Sequence, residues 1–502
     1  MEWQCLLLLW TVLVALAVFL VLNEVRRLVF PSHRLPPGPV PLPFLGNLLN
    51  VNFKDPGKTF SQLGEKYGDI STFYIGRSPA VILNGIHTIK NAFAHQPIEF
   101  AGRPSMPLLE WIIHGLGIVM APYGISWKQQ RKFALTSLRN FGVGKKSMEE
   151  RISEEAVFLI HGIRDEAGKP FDPHYIINNA VSNIICSIVF GNRFEYDNAR
   201  FQHLLHLIDT NMKLAGGVFA QVFNTFPFIK YLPGPHHKVK NNAEDVLSFI
   251  HEAVLDHKKT LSRDHVRDFI DAYLLEMEKQ KSNSESTFHN ENLAVSTADL
   301  FLAGTETTSS SLRWGLLYMA AYPEIQKRCQ QEIDNDVGSE HLPVWEDRLK
   351  MHYVNATVHE ILRFGNIAPL GVGRAIAKTC SFGGYVLPKG TAVIANLTSA
   401  LFDPEHWKFP DQFNPENFLD EKGEFSRSDA FIPFSAGLRV CLGEQLARME
   451  LFLFFSSLLQ HLDFIWPDPV HPPNFQDEVG LTRTPKPFKL CCQIRPTSFL
   501  QK

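Results

Sequence analysis

Residues Cys5 to Leu22 read CLLLLWTVLVALAVFLVL, a run without a single charge. Such a run satisfies its backbone as a helix, and its side chains only in lipid or deep inside a core. At the helical rise, Trp3 to Leu22 spans about 30 Å, one bilayer core. A cleaved signal peptide is the competing reading. Against it, Glu2 stands where a basic leader would begin, and no small-residue cleavage site follows. Arg26, Arg27, His33 and Arg34 follow instead, which orients the rest of the chain toward the cytoplasm. The sequence thus predicts an uncleaved transmembrane anchor over residues 3–22. Residues 23–43 then form a basic and proline-rich hinge, with Pro36, Pro37, Pro39, Pro41 and Pro43 favouring a stiff polyproline-II segment. Those prolines would also suit an SH3-type ligand, but their place between anchor and body argues for a spacer. With a cytoplasmic body, Asn355 and Asn396, each in an Asn-x-Thr triplet, are expected to be bare of glycans.

The body, residues 44–502, carries no repeat, no low-complexity stretch and no linker long enough to divide it. Helical patterns are expected over 147–164, 243–262, 267–280, 291–321, 324–336, 353–363 and 442–462. Pro323 and Pro404 mark breaks. Strands are expected at 71–74, 80–83 and 392–396, and a polar loop at 280–290. The expected class is one large domain, mainly α with a minor β-sheet. The net charge of −3 excludes the basic excess of a nucleic-acid binder. Thirty-nine phenylalanines point to large apolar interiors. Seven scattered cysteines do not make a disulfide scaffold, and an odd count suits a reducing compartment.

One cysteine stands apart. Phe434-Ser435-Ala436-Gly437-Leu438-Arg439-Val440-Cys441-Leu442-Gly443-Glu444 is a glycine-punctuated loop that delivers Cys441 to the start of an apolar helix. The helix dipole and free backbone N–H groups favour thiolate there, the form that ligates metal. Gly437 and Gly443 allow a tight turn and close approach of a flat ligand. Arg439 is placed to meet an anionic group of that ligand. A lone cysteine would more simply be structural, but the Phe-x-x-Gly-x-x-x-Cys-x-Gly string is far more specific. It resembles the heme-binding loop of cytochromes P-450, and the resemblance covers essentially the whole chain. It implies the cytochrome P-450 fold behind one N-terminal transmembrane helix, and heme b with Cys441 as the axial thiolate. Cys5, Cys186, Cys329, Cys380, Cys491 and Cys492 lack such a frame.

Ala303-Gly304-Thr305-Glu306-Thr307-Thr308 lies in a helix too apolar for a surface, yet Thr305 to Ser311 are all hydroxyl or acidic residues. Internal Ser/Thr back-bonding is the plain reading. The functional one is a distorted helix crossing an active site. The stretch resembles the family's oxygen-activation motif, in which Thr307 and Glu306 guide protons and Ala303, on the same face as Thr307, lets heme or substrate pass. Glu360 and Arg363, at i and i+3, can pair on one face. His359-Glu360 also invites a zinc-protease reading, which fails because Arg363 stands where the second histidine belongs. By resemblance Glu360-Arg363 is a buried structural pair joined by a basic residue. Here Pro415-Glu416-Asn417-Phe418 puts Asn417 in that place, so a hydrogen-bonded variant is expected.

Trp127 and Arg131 lie one helical turn apart, and the resemblance assigns both to the heme propionates, with Arg439 and Arg374. Gly373, in place of the usual proline, loosens the turn before Arg374. His114 stands where some relatives carry a propionate-binding arginine; a loop histidine with a local partner is an equal reading. His236-His237 is expected in an exposed loop. Asn179–Cys186, Phe190–Tyr196 and Arg267–Tyr273 resemble vertebrate microsomal family 2, and in combination its subfamily J, whose members oxidise polyunsaturated fatty acids and some drugs. The resemblance implies an endoplasmic-reticulum monooxygenase. Its electrons come from NADPH through a separate flavoprotein, NADPH–cytochrome P-450 reductase, with cytochrome b5 a further partner. Lys128, Lys132, Arg139, Lys145 and Lys146 are candidates for the docking face. A reductase-independent isomerase would not need Glu306-Thr307, and neither would a heme carrier.

Overall fold

The computed structural model describes residues 2–29 and 35–496. His33 and Arg34 of the hinge lie outside the described residues. The chain forms two compact units, Met1–Pro104 with Leu370–Ser399, and Ser105–Pro369 with Ala400–Lys502.

In the first unit α1 covers Glu2–Val29, longer than the expected anchor, and its Leu6–Glu24 stretch is long and apolar enough to cross a membrane. Glu24, near its end, is buried and pairs with Arg77 at 3.0 Å. Helix α2 (Pro56–Tyr67) starts where the Asp55 side chain accepts from Lys58 N–H, with Pro56 at the first turn, and stops at Gly68 in the left-handed region. Strands β1 (Ile70–Ile75) and β2 (Ser78–Leu83) form an antiparallel hairpin, followed by α3 (Ile86–Lys90). From the later segment come β3 (Arg374–Ala375), β4 (Cys380–Phe382), β5 (Tyr385–Leu387) and β6 (Ala392–Ala395). The four-stranded sheet runs β1-β2-β6-β3, with β2 parallel to β6. Phe60, Phe73 and Ile82 form its core. The prolines do not stand free: Thr72 donates through its N–H to Pro37 C=O and through its hydroxyl to Pro36 C=O. Gly38 is needed there, because a Cβ would lie 1.9 Å from Thr72 O.

The second unit holds α4 (Pro107–Ile113), α5 (Ile125–Asn140), α6 (Lys146–Arg164), α7 (His174–Val189), α8 (Ala199–Gly216), α9 (Val218–Thr225), α10 (Pro235–Thr260) and α11 (Phe269–Lys279). Then follow α12 (Asn290–Ala321), α13 (Pro323–Asp336) and α14 (His352–Gly365); α15 (Leu397–Leu401) brings the chain back from the first unit, and α16 is Glu444–His461. Its small strands are β7 (Leu462–Ile465) with β10 (Cys491–Ile494), and β8 (Asp477–Val479) with β9 (Arg483–Pro485). Helix α12 is buried almost all round and packs on α7, α10, α14 and α16, so it forms the unit's axis.

Three expectations need correction. Helix α10 begins at Pro235, not near residue 243, and His236 in its first turn is buried among Trp111, Phe219 and Phe223. Proline is accepted at a first turn because its missing N–H is not needed there, and two polar histidines hid the apolar face. Helix α12 runs as unbroken α-helix through the hydroxyl stretch, where Thr307, Ser309 and Ser311 bond back to Ala303, Glu306 and Thr307 carbonyls while packing on α7, α10, α14 and α16 holds it in place. Helix α16 begins at Glu444, which leaves Leu442 and Gly443, expected in the helix, in the loop that carries Cys441.

Candidate active site

The Cys441 loop is shaped by two left-handed residues, Ser435 (φ 63°) and Gly437 (φ 73°). Gly437 meets the expectation; Ser435 pays its strain without a glycine, while Cys441 N–H closes the loop on Phe434 C=O at 3.0 Å. Gly443 has an ordinary φ of −93°, so it is not there for the turn. A Cβ built on it meets nothing within 4 Å, which leaves a smooth face beside the cysteine. The backbone N–H groups of Gly443 and Glu444 point to the Cys441 sulfur. Cys441 is exposed, yet the protein atoms packed around its sulfur still push the thiol up, opposed by those N–H groups and by Arg131, while the Glu444 carboxylate adds to the rise. A cation bound at the sulfur would favour the thiolate against that rise.

Trp127 and Arg131 share one side of α5, as expected. The Arg439 guanidinium lies 4.0 Å from the Trp127 ring centroid and donates to the Ile118 and Ala121 carbonyls. Arg131 donates to Val440 C=O at 2.6 Å. Trp127 Nε1 is buried with no hydrogen-bond partner among the described residues. Asp299 of α12 holds the 117–119 loop by accepting from Ile118 and Val119 N–H. Phe434 packs beneath the Arg448 guanidinium. His114 is exposed and ends α4 in a left-handed conformation. Arg374 belongs to the first unit, on β3, with its guanidinium 3.5 Å from the Phe93 ring centroid.

On α12, Ala303 is exposed and Thr307 partly so, and the Thr307 hydroxyl donates to Ala303 C=O at 2.7 Å. Glu306 is buried and accepts from Ser310 at 3.1 Å and from Thr482 at 3.4 Å. Burial, then Asp209, push its carboxyl up to about 7, against Arg313 and Lys213. Asp209, Lys213, Arg313 and Thr482 are not marked by any motif in the sequence; only Arg313, the one basic residue of α12, carried a signal there.

Glu360 and Arg363 are both fully buried and joined by two hydrogen bonds of 2.7 Å. Arg363 also donates to the carbonyls of Leu401, Phe409, Pro410 and Gln412. Asn417 donates to Glu360 at 3.1 Å and both donates to and accepts from Phe409. Asn355 and Asn396 are buried and hydrogen-bonded, which leaves no room for a glycan on either. A surface groove of about 760 Å³ between α13 and the β7–β10 pair contains none of these residues.

An open sulfur with two backbone donors, a smooth glycine beside it, and an unpartnered indole N–H among guanidinium groups fit a flat, anionic metal macrocycle, the donor set of a heme-thiolate enzyme. The comparisons agree. The family model described as Cytochrome P450 matches residues 36–492. Cytochrome P450 2J2 of Homo sapiens is 47% identical over 96% of this chain and 95% of its own length. Cytochrome P450 2J5 of Mus musculus is 45% identical, with 96% and 95% covered. Cytochrome P450 2J1 of Oryctolagus cuniculus is 48% identical, with 91% and 90% covered. The chain therefore belongs to the cytochrome P450 family, within its family 2, and has subfamily-J proteins among its relatives. It is a reductase-dependent monooxygenase that uses heme held by a cysteine thiolate.

Proposed function

We propose that this chain is a membrane-anchored epoxygenase and hydroxylase of long polyunsaturated fatty acids such as arachidonate, with Cys441 as its iron ligand. The observation that carries the substrate reading is the likeness to subfamily J, in Asn179–Cys186, Phe190–Tyr196 and Arg267–Tyr273 and in the relatives above. The apolar α1 supports it, because such lipids concentrate where an anchored body meets the bilayer.

Bound at Cys441, heme supplies oxygen activation, and the thiolate favours O–O cleavage. The protein's part is binding, exclusion of water and proton handling. Trp127 Nε1, Arg131 and Arg439 would hold the propionates, and Arg374 is given the same task by the family resemblance alone. Ala303 leaves room on its face of α12. Thr307, whose hydroxyl donates to Ala303 C=O, and its neighbour Glu306 are the residues that would deliver protons on this reading. A carboxyl poised near neutrality can both hold and release a proton. Lys128, Lys132 and Arg139 are exposed along α5, with Lys145 and Lys146 beyond its end, and offer cations to an acidic reductase surface or to cytochrome b5. Residues 3–22 anchor the chain in the endoplasmic reticulum membrane, 23–43 set the body against it, and 44–502 work in the cytoplasm.

The second reading is a xenobiotic or steroid hydroxylase. Reconstitution with reductase, NADPH and arachidonate decides between them. Epoxy and hydroxy fatty acids are expected by mass spectrometry. Their absence, with turnover of a steroid or drug instead, overturns the fatty-acid reading.

A further inference from the structure

Glu306, Ser310 and Arg313 recur at i, i+4 and i+7 and share one face of α12. That face is polar although the helix is buried. Arg313 is itself buried; it donates to Pro485 C=O at 3.2 Å, and its Nε has no hydrogen-bond partner among the described residues. A guanidinium in that setting needs negative charge nearby. Four carboxylates act on it: Glu306, Asp172, Asp209 and Glu478.

Helix α8 supplies the opposing pair. Asp209 and Lys213 stand one turn apart, with 3.3 Å between Lys213 Nζ and Asp209 Oδ2. Lys213 also reaches Glu478 of β8 at 3.1 Å. The same end of α8 is held to the β8–β9 turn, where Leu481 N–H donates to Met212 C=O at 3.0 Å, and the next residue of that turn, Thr482, donates to Glu306 at 3.4 Å, so one turn touches both α8 and the buried acid. His174, at the start of α7, lies 4.0 Å from Asp209, and burial, then Arg313, push it down to about 4, so it is neutral at working pH. Glu306 and Arg313 are sealed inside, whereas the Asp209 and Lys213 side chains are 17% and 43% exposed. The cluster thus leads from the buried acid to the protein surface.

We propose that Asp209 and Lys213, opposed charges on one turn of α8, are positioning residues that set the protonation of Glu306 across the β8–β9 turn that both α8 and Glu306 touch. After burial, Asp209 is the largest influence holding the proton on, while Arg313 and Lys213 act to release it. Because Lys213 is shared with Glu478, the seating of α8 on the β8–β9 turn enters the same balance. The inference deepens the proton-supply reading of Glu306 and rests on it only for its use in turnover.

The test titrates Glu306 directly in the full-length ferric protein. Difference infrared spectra between pH 5 and 9 follow the protonated-carboxyl band, assigned as the band lost in Glu306→Gln. Asp209→Asn should move the midpoint down by about one pH unit, and Lys213→Gln should move it up by a similar amount. A structural lesion would not give opposite signs in two substitutions four residues apart. Midpoints that stay put, or that move the same way in both, overturn the proposal. Product formed per NADPH is then followed over the same pH range. If the infrared midpoints shift as expected, the charge assignment stands; a coupling profile that fails to follow them refutes the proton-supply reading of Glu306 instead.

Discussion

Removing the Arg363 guanidinium should unfold this protein or bring it to the edge of unfolding. Arg363 and Glu360 are fully buried and share two hydrogen bonds. Taking away one partner of such a pair costs about 3–5 kcal/mol, because the other charge stays buried without its counterion. Four backbone carbonyls, of Leu401, Phe409, Pro410 and Gln412, lose their donor as well. At about 1 kcal/mol each, the total reaches about 7–9 kcal/mol, comparable with the whole stability of a typical domain. Asn417 still donates to Glu360, but one neutral amide does not replace a guanidinium. Pulse proteolysis of the full-length protein in detergent, over a denaturant series, measures the change. Arg363→Ala should leave little protease-resistant protein even without denaturant. The double variant Glu360→Gln, Arg363→Met removes both charges yet still orphans the four carbonyls, so it should recover only part of the loss. Arg363→Ala within about 2 kcal/mol of the wild type would refute the reasoning, since even the pair alone exceeds that.

Other consequences follow from α12 and the anchor. Thr307→Ala should retain heme and substrate binding while product per NADPH falls about tenfold or more and hydrogen peroxide rises, as read by oxidase and product assays. Glu306, raised to about 7 from an ordinary 4.5, binds a proton more tightly folded than unfolded, so its contribution to stability is present below pH 4.5 and is lost as pH rises through 7. Denaturation midpoints of Glu306→Gln should therefore lose that fall, about 3 kcal/mol between pH 4.5 and 7. Deleting residues 1–30 should leave a folded, heme-binding body, since every heme motif lies beyond them and Arg77, left without Glu24, is more than half exposed to water; loss of heme incorporation would show that α1 does more than tether.

The elements that the sequence announced are those whose signal is local. Strands β1, β2 and β6 were legible from short branched and aromatic runs, and α12 and α13 from periodicity broken at Pro323. The two residues before Glu444 that fall outside α16, and the buried first turn of α10, were not legible, because caps and packing set helix ends and these do not show in hydrophobic period. The same holds for the site. Cys441, Thr307 and the Glu360–Arg363 pair stood out because their motifs are contiguous. Asp209, Lys213 and Thr482 did not, because they meet Glu306 only through the fold, from about a hundred or more residues away in sequence. Asn417 shows the middle case: the missing cation was visible, but its three hydrogen bonds to Glu360 and Phe409 were not.

The account stands or falls on Cys441 as the sulfur that holds heme iron. The ferrous carbon-monoxide spectrum of Cys441→Ser measures this without substrate or reductase. The wild type should show the strongly red-shifted Soret band of a thiolate-ligated heme, and the variant should lose it while remaining folded. A folded Cys441→Ser protein that keeps the red-shifted band would contradict the assignment, and with it the site built around that loop.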